Sequence, residues 1–145
     1  MPRMYKNRLL PALLFAASVA TNALAEVPRT KAPADASVAI ISPQDGDVVT
    51  SPFKVVFAVT GMSLAPAGDP RPDSGHHHLI IDAPLPNLDQ PLPADERHLH
   101  FGKAQTETEV TLAPGQHTLQ LILGDANHIP HEPPVISPQI TITVR

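Results

Sequence analysis

Gly75-His76-His77-His78-Leu79-Ile80-Ile81-Asp82 has the composition of a β-strand, and its two faces can be assigned. Successive side chains of a strand point to opposite sides of the sheet. Leu79 and Ile81 are the natural core positions. His77 shares their face, which places His76 and His78 together on the other. Residues two apart on a strand lie ~6–7 Å apart at Cα, close enough for both imidazoles to reach one ion.

Runs of the same kind lie on both sides of this segment. Upstream, Val38 to Ile41 closes at the turn signal Ser42-Pro43-Gln44-Asp45-Gly46. Phe53, Val55, Phe57 and Val59 then alternate with Lys54, Val56 and Ala58, as in a core strand. Downstream come Arg97 to Phe101, Thr106 to Leu112, and His117 to Leu123 with Leu119, Leu121 and Leu123 on one face; Ile140, Ile142 and Val144 mark a last strand. Turn residues separate the runs, and no amphipathic helix is evident. The pattern predicts an all-β domain, an immunoglobulin-like antiparallel β-sandwich of seven or eight strands.

Residues 1–25 read as an export signal rather than as part of the fold. Arg3, Lys6 and Arg8 precede an apolar run from Leu9 to Ala20, and Ala23-Leu24-Ala25 is a small-x-small cleavage site. Cleavage is expected before Glu26, with a periplasmic or secreted product. The apolar run is too short to cross a ~30 Å bilayer as a helix, so no membrane span is expected. Residues 26–36 are polar and Pro-containing, a mobile lead-in, and 37–145 is a single domain. Three of the ten basic residues leave with the signal and all fourteen acidic ones stay, for a net charge of −7 with neutral histidines. Such a domain lacks the basic patch of a nucleic-acid binder. There is no cysteine to staple the core or to offer a thiolate.

The chain has eight histidines, and all fall after residue 75. The pattern H-x-H occurs twice, as His76/His78 and His98/His100. If the two strands form a hairpin across 83–96 with His78 opposite His100, a four-histidine surface results. His128 and His131 lie on the loop after the sixth strand, at the same end of the sandwich, where either could complete a site together with Asp125. The candidate metal ligands are thus His76, His78, His98, His100, His128 and His131. Imidazole suits Cu(II) and Zn, and with Met62 as the single methionine of 26–145 a soft Cu(I) site is not expected. Structural readings stand beside this one. His76 to His78 could be a solvated strand start, His98 and His100 could cover an outer face, and His128 and His131 could brace their loop. His117 sits where sandwich folds often place a tyrosine that bonds back to the backbone, and it is expected to do the same.

The segments Gly75–Asp82, His98–Glu107, Leu112–Leu119 and Gly124–His131 together resemble the bacterial exported family called domain of unknown function 4399. The resemblance covers about residues 38–144 and implies a small periplasmic or secreted β domain. Three function classes compete. The first is a metal-binding domain holding Cu(II) or Zn as its ion. The second is an interaction module for an envelope protein, with structural histidines. The third is a metal-dependent enzyme in which Glu107, Glu109 or Asp82 would act as base toward a metal-activated water. No nucleophile elbow, phosphate loop or H-E-x-x-H helix is present to favour the third.

Overall fold

A computed structural model of the chain describes Pro2 and residues 27–145. The export signal read in residues 1–25 otherwise lies outside the described residues, as does Glu26. The described residues contain nine strands and no helix: β1 (Ser37–Ser42), β2 (Val48–Val49), β3 (Phe53–Thr60), β4 (Ser63–Leu64), β5 (Ser74–Ile81), β6 (His98–His100), β7 (Glu107–Val110), β8 (Gly115–Gly124) and β9 (Ile140–Val144). Seven of them correspond to the runs read from the sequence. β2 and β4 do not, because two residues are too few to display a period.

Two sheets form. One has the antiparallel order β1-β3-β7. The other runs β2-β9-β8-β5-β4, with β6 paired to β5 further along the edge that β4 occupies. β2 and β4 pair parallel to β9 and β5, so the larger sheet is mixed rather than wholly antiparallel. The expectation of seven or eight antiparallel strands is corrected to that extent.

The alternation of β3 buries Phe53, Val55 and Phe57, and these meet Leu79, Leu119, Leu121, Leu123, Ile142 and Val144 from the larger sheet in one core. Each such side chain contributes about 1.5–3 kcal/mol on leaving water. Phe57 packs on Phe101 with ring centroids 5.0 Å apart and on His77 at 5.1 Å. His77 therefore lies on the core face, as the alternation predicts.

The larger sheet is covered on its other face as well. Ile80 and Ile122 form a second cluster with Leu92, and Leu88 and Ile136 pack against it from the connecting loops. All eight residues of β5 are buried as a result. This corrects the expectation that His76 and His78 stand on an open surface: they face away from the core, yet the loops over that face leave each only 1 % exposed.

The lead-in 26–36 is anchored along part of its length, where composition alone suggested mobility. The backbones of Lys31 and Glu132 form an isolated parallel β-bridge, and the Ala32 amide donates to the Glu132 carbonyl at 3.0 Å. Polar, Pro-containing chain can still bond edge to edge with a loop. No helix among the described residues is long and apolar enough to cross a membrane.

Candidate metal centre

Strand geometry places the first pair. His76 and His78, two apart on β5, have ring centroids 4.8 Å apart, and their Nε2 atoms lie at 3.0 Å. β6 supplies the third ring. It pairs antiparallel to β5 with His78 opposite His100, the register that the sequence suggested. His100 lies 5.0 Å from both His76 and His78, centroid to centroid. The loop between β8 and β9 supplies the fourth: His128 is 5.1 Å from His76, 4.7 Å from His100 and 6.0 Å from His78. One ring nitrogen from each of His76, His100 and His128 falls within 4.8 Å of the other two. Nitrogens bound at ~2.0–2.1 Å to one ion stand ~3–4 Å apart, so small ring rotations would bring this set to a common point.

Glycines make the space. A Cβ at Gly124 would lie 3.0 Å from His78 Nε2 and 3.3 Å from the His128 Cα. A Cβ at Gly102 would overlap the His100 ring, and one at Gly75 would come within 2.9 Å of His131 Cε1. The rings thus occupy room that any larger residue would fill.

The electrostatics favour the ligating form. Burial, followed by repulsion from His100 and His128, lowers the His76 pKa to about 4, against partial relief from Asp125. Burial and then His76, His100 and His128 lower that of His78 to about 2. Burial and then His128 push His100 downward too. The imidazoles of this group so affected are neutral at neutral pH, as metal ligation requires. Nδ1 of His76 and Nδ1 of His78 are buried with no hydrogen-bond partner. Buried polar atoms are rarely left so, since each costs about 1–3 kcal/mol. A cluster of imidazoles beside Gly102 and Gly124, two of them carrying an unpartnered buried nitrogen, fits a transition-metal ion.

Two of the six candidates are not brought into the cluster. Antiparallel pairing of His78 with His100 puts Ile80, not His76, opposite His98. The two H-x-H pairs therefore overlap at one position only, and a square of four cannot arise from that register. His98 bonds through Nδ1 to Asp95 at 2.8 Å instead. His131 is fully buried beside Gly75, but its Nε2–H donates to the Ser74 carbonyl at 3.0 Å, and it does not join the three-histidine group.

Asp125 does not offer a free oxygen. Its Oδ1 accepts the amides of Asn127 and Ile129, and its Oδ2 accepts the Thr30 hydroxyl at 2.7 Å. The possible bases are also elsewhere: Glu107 and Glu109 lie on β7 in the smaller sheet, Glu107 paired with Lys54 at 3.0 Å. Asp82 is bonded to His117 at 2.6 Å and to the Thr118 amide. His117 does bond back to the backbone, through Nε2–H to the Ala113 carbonyl at 2.8 Å.

A family model described as Domain of unknown function (DUF4399) matches residues 55–145. The chain belongs to that family. The DUF4399 match takes in β5, β6 and the β8–β9 loop, and so every histidine of the cluster. It begins inside β3 and leaves out β1 and the lead-in. No curated protein and no solved structure matches the chain significantly.

Proposed function

We propose that this chain is an exported, immunoglobulin-like domain that binds one transition-metal ion, Cu(II) or Zn, through His76, His78, His100 and His128. The observation that carries the reading is the convergence of four imidazoles on one side of β5, two of them buried with Nδ1 unpartnered. A bound ion would act as a Lewis acid toward these nitrogens. His76 and His78 form the buried base of the site, while His100 is exposed and His128 half-buried, so entry is from the His100 side. The donor set is all nitrogen. Met62 packs against the core and cysteine is absent, and an all-imidazole set favours borderline metals such as Cu(II) and Zn.

The immunoglobulin-like assignment is supported by strand order. β1-β3-β7 faces β9-β8-β5 with β6 beside β5, the arrangement of an ABE sheet over a GFC sheet with an extra edge strand. Export rests on the basic start, the apolar run and Ala23-Leu24-Ala25; sequencing the secreted product should find Glu26 first. No carboxylate considered as a base is free at the cluster, so a binding role is favoured over catalysis.

Equilibrium dialysis against Zn and Cu(II) near neutral pH, followed by elemental analysis, tests the function. One ion per chain is expected. His76→Ala and His100→Ala should each abolish uptake, whereas His98→Ala should leave it intact. Sub-stoichiometric uptake by the unaltered chain would end the metal reading.

A further inference from the structure

His128 is the one member of the proposed ligand set that lies outside a strand, so its aim depends on how its loop is held. Its φ is 66°, a left-handed conformation that non-glycine residues seldom adopt without outside support. Asp125 provides that support. Its Oδ1 accepts the amide of Asn127 at 2.8 Å and that of Ile129 at 3.0 Å, the residues on either side of His128. The His128 amide itself donates to the Asp125 carbonyl at 2.9 Å. One carboxylate oxygen thus pins the turn.

The other oxygen is pinned from a distant part of the chain. Asp125 Oδ2 accepts the hydroxyl of Thr30. Arg29 grips the far end of the same loop: its Nε donates to the Pro130 carbonyl at 3.1 Å, its guanidinium also bonds the His131 carbonyl, and it pairs with Glu132 at 2.6 Å. The backbone closes the contact, with the Glu132 amide donating to the Thr30 carbonyl at 2.9 Å. Consecutive residues therefore clamp both ends of the segment that carries His128.

We propose that residues 29–32 are a latch, in which Thr30 through Asp125, and Arg29 through the Pro130–Glu132 backbone, are positioning residues that set the aim of His128 at the ion. This rests on the metal-binding reading above. The latch lies outside the residues matched to DUF4399, whereas the loop it holds lies inside them. The physical logic is preorganisation: a carboxylate anchored at both oxygens has one usable orientation, and the ligand it supports loses little freedom on binding. Without the Thr30 hydroxyl, Asp125 keeps the two amides on Oδ1 but loses the bond that ties its other oxygen to the lead-in, and the turn around the left-handed residue is held less firmly.

Thr30→Val removes the hydroxyl and keeps the shape; Thr30→Ser keeps the hydroxyl. Both are compared with the unaltered protein in Cu(II) and Zn competition titrations, in the Cu(II) electron paramagnetic resonance spectrum, and in amide hydrogen exchange at 127–129 without metal. Thr30→Val should weaken metal by about 10–100-fold, the range for residues that orient a ligand from behind. Its Cu(II) spectrum should approach that of His128→Ala, and exchange at 127–129 should quicken while β5 and β8 stay protected. Thr30→Ser should restore all three. Unchanged affinity and spectrum in Thr30→Val, with the unaltered protein binding metal, would overturn the latch. If the unaltered protein takes up no metal, the functional reading falls. The latch is then decided by exchange alone: unchanged rates at 127–129 overturn it, and faster rates confined there sustain it.

Discussion

His77 and His117 show how differently two histidines of one chain can be used. His77 is fully buried against Phe57, and neither ring nitrogen has a partner. An unpaired buried polar group costs about 1–3 kcal/mol, so His77→Leu should raise unfolding stability by about that amount, read from the urea midpoint at constant slope. Metal uptake should not change, because His77 points to the core. His117 uses both nitrogens, on Asp82 and on the Ala113 carbonyl. The bond to Asp82 raises its pKa above 6.5 despite partial burial. A raised folded-state pKa gives stability that is full below about 6.5 and fades as pH climbs through the folded value. The melting-temperature gap between the unaltered protein and His117→Gln should therefore narrow as pH rises from 6 toward 9. A gap that widens would contradict the pairing. The role of His117 was legible from the sequence because a corner needs only local order, a turn followed by a strand.

The register of β5 with β6 decides which histidines meet. Pairing His78 with His100 ends β6 two residues before Gly102, where the absence of a side chain leaves room for the His100 ring. Gly102→Ala should thus displace His100, and Gly124→Ala should crowd His78 and His128 from the other side. Each is expected to lower metal affinity by 10-fold or more while strand protection in hydrogen exchange persists, since the change meets the His100 or His78 ring and the His128 Cα of the loop rather than the strand ladder. Normal affinity in both would mean the rings are not the ligands. H-x-H spacing was readable as a same-face pair, because period two is a property of one strand. That only one histidine of each pair would overlap follows from antiparallel direction, a relation between two strands.

The larger sheet, covered on both faces, sets the behaviour of the molecule as a whole. Burial holds His76 and His77 at pKa values of about 4, and His78 lower. Each is depressed below the 6.5 of the unfolded chain, so the unfolded state binds protons that the native state refuses. Stability of the metal-free protein should be full above about pH 6.5 and fall steadily toward pH 4, with the opposite sign to the His117 effect. Thermal melts across that range check it, and a flat profile would place these rings in water. Saturating Zn or Cu(II) should raise the melting temperature at pH 7 and lose that effect on acidification, as protons compete for the same nitrogens. The burial itself had a signal in the sequence. Leu79-Ile80-Ile81 and Leu121-Ile122-Leu123 are continuous apolar runs, which mark strands buried on both sides, yet the alternating residues around them pointed to one open face.

Seven of the nine strands, the facing of His77 and the pairing of His76 with His78 follow from the chain alone, because alternation and turn chemistry act over a few neighbouring residues. The sheet order, the depth of the cluster and the exclusion of His98 do not. They depend on which segments lie beside one another, and that is settled by packing between residues far apart in the chain. His128 joins the cluster, with Thr30 behind it, for the same reason: a loop has no period, and its direction is imposed by the bonds that other parts of the fold make to it.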